Sequence, residues 1–319
     1  MAIVLCIVLT AALLGPGHPA SHAAATCPIE EFTVGSVHED PGGIVAGPDG
    51  NVWFALRSVF GDQIVRMTPS GQPTRFLISR PGNEDPYPET ITVGPDGALW
   101  FTELSSNHIG RITTDGVVNY FPTLPGSTPN GIATGPDGAL WFTEITSNSI
   151  GRMTTTGAVT RFPLPWLQTQ PRQIVAGPDG ALWFTGFEAN VIGRIALNGE
   201  VTGFPVPTAF ADPQGITLGT DGNLWFTEYR GQKIGRITPA GSITEFPIPN
   251  QDAWPFFITT GPDGQLWFTE QIGNQIGRVT TDGVFTAFQI PSPGRLIHGN
   301  GTTTGPTHIA PGPGAPWAR

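Results

Sequence analysis

The feature that most constrains this chain is a repeat. Aligned on tryptophan, six segments read NVWFAL, ALWFTE, ALWFTE, ALWFTG, NLWFTE and QLWFTE, anchored by Trp53, Trp100, Trp141, Trp183, Trp225 and Trp267. Each unit keeps one order. An apolar run (ITVG at 91–94, ITLG at 216–219) leads to Pro-Asp-Gly or Thr-Asp-Gly, then to LWFTE, a polar turn with Asn or Gly, and IGRIT. A second glycine turn (TDG at 114–116, PAG at 239–241) leads to a run such as ITEFPIP at 243–249. Asp-Gly supplies the positive φ that a tight hairpin needs, and the closing Pro-x-Pro ends the last strand. Four short strands per unit, at a period of about 42 residues, predict an all-β fold, the β-propeller. A β-helix has shorter repeats with fewer strands.

Composition agrees once the repeat is seen. The 319 residues include 43 glycines and 33 prolines, about a quarter of the chain, a level at which chains without a period are disordered. Nine tryptophans and nineteen phenylalanines exclude disorder, and so much Gly and Pro excludes a helical bundle. A formal net charge of −10, with Lys233 the single lysine, excludes a nucleic-acid binder and a polybasic membrane patch.

Six complete units run from about Pro41 to Pro291. Ahead of them, IEEFTV at 29–34 matches the last strand of a unit, as in ITEFPI at 243–248, and so belongs to a seventh. After Pro291, GPTHIAPGPGAPW at 305–317 is a worn copy of the start of a unit. The expected architecture is therefore six complete four-stranded blades plus a partial seventh shared by the two termini, with 29–290 as the propeller. Residues 291–319, with six glycines, six prolines and no acidic residue, read as a degenerate, truncated or frame-shifted seventh-blade segment.

At the other end, AIVLCIVLTAALL at 2–14 is too short to span a bilayer, and PASHAAA follows it. Residues 1–25 are expected to be a secretory signal cut near Ala25, placing the protein outside the cell or in the periplasm. The competing reading is a buried N-terminal strand. Cutting leaves Cys27 alone, with no intramolecular disulfide and no cysteine metal site.

Residues that break the repeat are the better site candidates. The position after the proline that opens each unit carries Gly42, Glu89, Asn130, Arg172, Gln214, Phe256 and Thr307. Of these, Glu89, Asn130, Arg172, Gln214 and Phe256, with the neighbouring Tyr87 and Trp254, are expected to form an aromatic-walled, partly polar mouth for a small molecule, peptide or glycan. The competing reading is an ordinary solvated loop face. Glu103, Glu144, Glu228 and Glu270 end the LWFTE runs. They are candidates for a ring that takes a cation, but recurrence in most units favours a structural role. The same applies to Arg111, Arg152, Arg194, Arg236 and Arg278 of IGR and to Asp49, Asp96, Asp137, Asp179, Asp221 and Asp263 of the turns.

The motif GPDGxLWFTE…NxIGRIT…GxITEFPIP resembles the virginiamycin B lyase (streptogramin lyase) family. That resemblance implies a seven-bladed propeller, antibiotic resistance, and an enzyme that opens the lactone of type B streptogramins by elimination. It further implies a histidine general base and a magnesium ion held by acidic residues. The family's motifs of the form Pro-His-Ala-Ile have no histidine at the matching positions here. His308 stands one place late, which a regular strand would turn to the opposite face; His308 and His38 are the remaining catalytic candidates. The alternatives are a non-catalytic binding propeller and a calcium-dependent lactonase-type propeller. The chain is expected to be monomeric, without a transmembrane segment.

Overall fold

The computed structural model describes residues 2–6, 29–33, 39–78, 86–291, 295–297, 302–304 and 306–312. His38, Cys27, the expected cleavage site and the last seven residues lie outside them. All the regular structure described is β, and no helix is long and apolar enough to cross a membrane. Six four-stranded antiparallel sheets follow one another along the chain, over 39–77, 88–122, 129–163, 171–205, 213–247 and 255–289. In blade two the strands are Pro88–Val93, Leu99–Glu103, His108–Ile112 and Val118–Pro122, running from the axis outward.

The LWFTE strand is buried throughout, because each sheet packs both faces against its neighbours. Its tryptophan stacks on a phenylalanine of the outer strand of the same blade, as in Trp141–Phe162 at 5.5 Å between ring centroids. Its Nε1–H donates to the turn aspartate, Trp141 to Asp137 Oδ1 at 3.0 Å. The IGR arginine closes the brace from the other side, Arg152 Nε to Asp137 Oδ2 at 2.6 Å. Burial would raise the Asp137 carboxyl, but the hydrogen bonds from Trp141 and Arg152 outweigh it and hold the group below its usual value. The repeated aspartates and arginines are thus structural. The glycine of IGR is required by packing: a Cβ on Gly110 would run into the Phe101 ring.

Two contacts locate the seventh position. In each blade the outer-strand phenylalanine lies over a turn glycine of the next blade, as Phe76 does over Gly116, and Phe32 lies in the same way over Gly71 of blade one. The strand Ile29–Thr33 is therefore the outer strand of a seventh blade. On the inner side, the LWFTE threonine of blades two to six donates to a backbone carbonyl of the next: Thr143 to Arg172 at 2.6 Å, Thr227 to Phe256 at 2.8 Å, and Thr269 to Thr307 at 3.2 Å. Segment 306–312 therefore takes the inner place. The described residues form six four-stranded blades, not the seven implied by the resemblance: beyond these blades the remaining strands form only two-stranded pairs, Ala2–Cys6 with Ile29–Thr33 and Arg295–Ile297 with Thr302–Thr304. Ala2–Cys6, within the expected leader, pairs antiparallel with Ile29–Thr33, Ile3 opposite Phe32, and covers an edge that would otherwise be open.

Candidate functional site

Seven inner segments circle the axis and enclose a channel of about 210 Å³, lined by residues that include Gly43, Thr90, Gln173, Phe257 and His308. One end of this channel is built by the loops that join the blades. There the residue before the inner-strand proline of blades two to six takes a left-handed backbone: Tyr87 (φ 50), Thr128 (51), Gln170 (45), Asp212 (53) and Trp254 (49). Each such conformation costs a non-glycine residue about 1 kcal/mol or more and must be held from outside.

The turn after LWFTE does the holding. Asn107 Oδ1 accepts from Thr128 N at 3.1 Å, Gln232 Oε1 from Trp254 N at 2.9 Å, and Asp62 Oδ2 from Tyr87 N at 2.7 Å. In return, the carbonyl of the strained residue accepts from the residue just after LWFTE: Gln170 from Phe187 N, Asp212 from Tyr229 N, Trp254 from Gln271 N. These bonds set two non-repeating positions of each blade side by side at the mouth.

The sequence candidates Glu89, Asn130, Arg172, Gln214 and Phe256 occupy matching positions on successive blades, with Tyr87 and Trp254 beside them. Glu89 is ion-paired to Arg57 at 2.8 Å, and burial raises its carboxyl although Arg57 opposes this. Arg57 also binds Asp40 at 2.8 Å and lies 4.7 Å over the Tyr87 ring. Arg172 lies over the Phe187 ring at 5.1 Å and donates to Gln170 Oε1 at 3.1 Å. On the next two blades, Tyr229 meets Trp254 edge-on at 4.9 Å and Phe256 at 5.8 Å, and its hydroxyl donates to Gln271 Oε1 at 2.8 Å. Sequence reading passed over Arg57, Phe187, Tyr229 and Gln271. Their signal was present: the residue after LWFTE differs in every blade.

His308 packs on Phe257 at 4.1 Å and on Phe256 at 6.2 Å, and it lines the channel. The expectation that its one-residue displacement turns it away is therefore corrected. Each inner strand shifts register between its proline and the following isoleucine, Pro255 and Ile258 in blade six. Alternation is suspended there, so Phe256 and Phe257 both touch His308. Burial, with the Arg57 charge in support, pushes the imidazole down to about 3. His308 Nδ1 faces Thr307 Oγ1 at 3.1 Å, while Nε2 is buried without a partner.

The four recurrent glutamates do not ring the mouth. Each ends buried inside its own blade, because the strand turns its last side chain toward its own turn. Glu103 accepts from Ser106 Oγ at 2.5 Å, Glu144 from Ser147 and Arg161, and Glu270 from Asn250 at 2.8 Å. Glu228 lies near the Lys233–Glu245 pair, and burial, with the Glu245 charge adding to it, raises its carboxyl to about 8. Among the described residues no three His, Cys, Asp or Glu side chains gather so as to hold a metal ion. Those residues do not fit a magnesium or calcium site.

A sequence profile described as the virginiamycin B lyase family matches residues 27–309. Among solved structures, a streptogramin B lyase is 37% identical, over 88% of this chain and 90% of its own, with a TM-score of 0.79. Virginiamycin B lyase from Staphylococcus aureus is 41% identical over 79% of this chain and 86% of its own, TM-score 0.74. A catalytically inactive histidine-to-alanine variant of the Staphylococcus aureus protein, solved with quinupristin, is 40% identical over 83% and 90%, TM-score 0.77. No curated protein matches the chain.

Proposed function

The chain belongs to the virginiamycin B lyase family, and we propose that its mouth binds a type B streptogramin, or a depsipeptide like it, and holds it without opening the lactone. The observation that carries this reading is the chemistry of the mouth. An aromatic wall of Tyr229, Trp254 and Phe256, on blades five and six, follows the cation Arg172 of blade four around a channel whose histidine is held neutral with a pKa of about 3. Aromatic surface with a few fixed polar groups suits a rigid, ring-bearing ligand, and a relative is seen with quinupristin. Leu167 and Phe210, 92% and 79% exposed, extend the apolar rim on neighbouring loops.

Elimination makes a heavier demand. A base must take the proton next to the ester carbonyl, and it works best with a pKa near the working pH. Burial leaves His308 a weak base, with a pKa of about 3, and Glu89, at the entry position of blade two, is bound to Arg57. The rival reading, lyase turnover with His308 as base, is favoured by its unpartnered Nε2 on the channel wall.

Titration calorimetry with quinupristin, followed by chromatography and fragmentation mass spectrometry, separates the two, since elimination leaves the mass unchanged. Heat of binding with intact lactone is expected. A linear product that disappears in His308→Ala would establish the rival, and absence of binding would remove both. We also extend the proposal to export, based on the apolar run at 2–14 and the small residues after it. N-terminal sequencing of the exported chain should begin near Thr26; a start at Met1 or Ala2 would show that Ala2–Cys6 is kept as a strand.

A further inference from the structure

The cations around the mouth are not alike. Arg57 is paired to Glu89 and Asp40, Arg161 to Glu144, Arg230 to Asp212 at 2.9 Å, and Lys233 to Glu245 at 2.6 Å. Arg172 alone among these described residues is in no ion pair. Its one hydrogen bond goes to a neutral amide, Gln170, its flat face rests on Phe187, and its Nε is buried without a partner. Burial lowers its pKa, and Glu89 and Glu188 offset this only through space. A desolvated charge without a counter-ion is costly, and the cost is relieved when a ligand supplies one.

The position is held ready for that role. The carbonyl of Arg172 is fixed by Thr143 Oγ1 at 2.6 Å, and Gln170 is set by a left-handed backbone. The neighbouring blades present the neutral amides Asn130 and Gln214 at the matching position, with no acidic side chain there. A guanidinium resting on an aromatic ring, flanked by amides, is a donor array matched to a carboxylate.

We propose that Arg172 is the counter-ion site for a free carboxylate of the ligand. The mouth then prefers a linear peptide acid, with its aromatic side chains on Tyr229, Trp254 and Phe256, to the closed and neutral lactone of the same peptide. This rests on the depsipeptide reading above, and it assigns the chain to the opened form, downstream of the reaction class that breaks the lactone.

The test compares quinupristin with its hydroxy acid, made by opening the lactone in mild alkali, on the full chain by calorimetry. The acid is expected to bind about ten-fold tighter or better. Arg172→Gln should abolish that preference by weakening the acid more than the lactone, and Arg172→Lys should restore part of it. Equal affinity for the two forms, or a preference that survives in Arg172→Gln, would overturn the proposal. If neither form binds, the depsipeptide reading falls, and N-acetyltryptophan against its amide decides the subsite. An Arg172-dependent preference for the acid upholds it, and no preference overturns it.

Discussion

The two ends of each blade follow opposite rules. At the Pro-Asp-Gly turns, blades two to four repeat one brace almost atom for atom: tryptophan Nε1 to aspartate at 2.9 to 3.1 Å and arginine Nε to the same carboxylate at 2.6 Å. At the mouth, the matching positions carry Glu89, Asn130, Arg172, Gln214 and Phe256, no two alike. The difference teaches where each kind of selection acts. A contact that only has to hold a sheet against its neighbour is best made the same way every time, and a surface that meets one asymmetric ligand has to differ at each step around the ring.

The comparison breaks hardest if a brace residue is removed. Trp141→Ala should cost about 3–5 kcal/mol of stability, measured by denaturant unfolding. A comparable loss from Trp254→Ala would erase the distinction between the two ends. At the mouth, Trp254→Ala is expected to weaken quinupristin binding about ten-fold while the melting temperature moves little.

A charge effect comes next. Glu228 titrates near 8 in the folded chain and near 4.5 as a free side chain. The folded state therefore holds the extra proton between those values. Stability from this group is full below about 4.5 and is lost as the pH rises through about 8. Glu228→Gln should flatten the fall in melting temperature between pH 5 and pH 8; an unchanged slope would mean that the buried carboxyl is already ionised.

His308 works in the reverse sense at lower pH. Its folded value of about 3 lies below the ordinary imidazole value of 6.5, so the unfolded chain takes up the extra proton and stability falls as the pH drops through that interval. His308→Phe should reduce the acid loss, read from melting curves at pH 4 and pH 7. The smallest effect tests the brace against itself. Arg152 lies 2.6 Å from Asp137, whereas Arg278 lies 3.9 Å from Asp263. Arg152→Ala should cost about 1 kcal/mol and Arg278→Ala only a few tenths.

What could be read in advance follows the same division. Spacing of the six tryptophans was enough for the blades, and the match of IEEFT to the outer strands was enough to place Phe32 over Gly71. The recurrence of Asp and Arg was enough to mark them as structural. The mouth was half legible. The variable residue after each proline stood out, but its partner after LWFTE did not, because the link is a backbone bond from a left-handed residue such as Asp212 to Tyr229. Side-chain identity carries no trace of that bond. The orientation of His308 was misjudged for a related reason: alternation is a property of regular strands, and the register shift beside Pro255 has no residue of its own to announce it. For the glutamates, recurrence favoured a structural role over a ring, but a linear pattern cannot say whether equal positions face the axis or their own turns.

The seventh position has a consequence for how the chain comes into being. It is filled from one side by residues near 30 and from the other by residues near 308. A polypeptide leaving the ribosome can stack its blades in order as each is finished, yet it remains an open arc until the segment around Thr307 has been made. The arc becomes a ring in one late event, when the segment around Thr307 reaches Thr269. His308, Phe257 and Arg57 are brought into mutual range by that event.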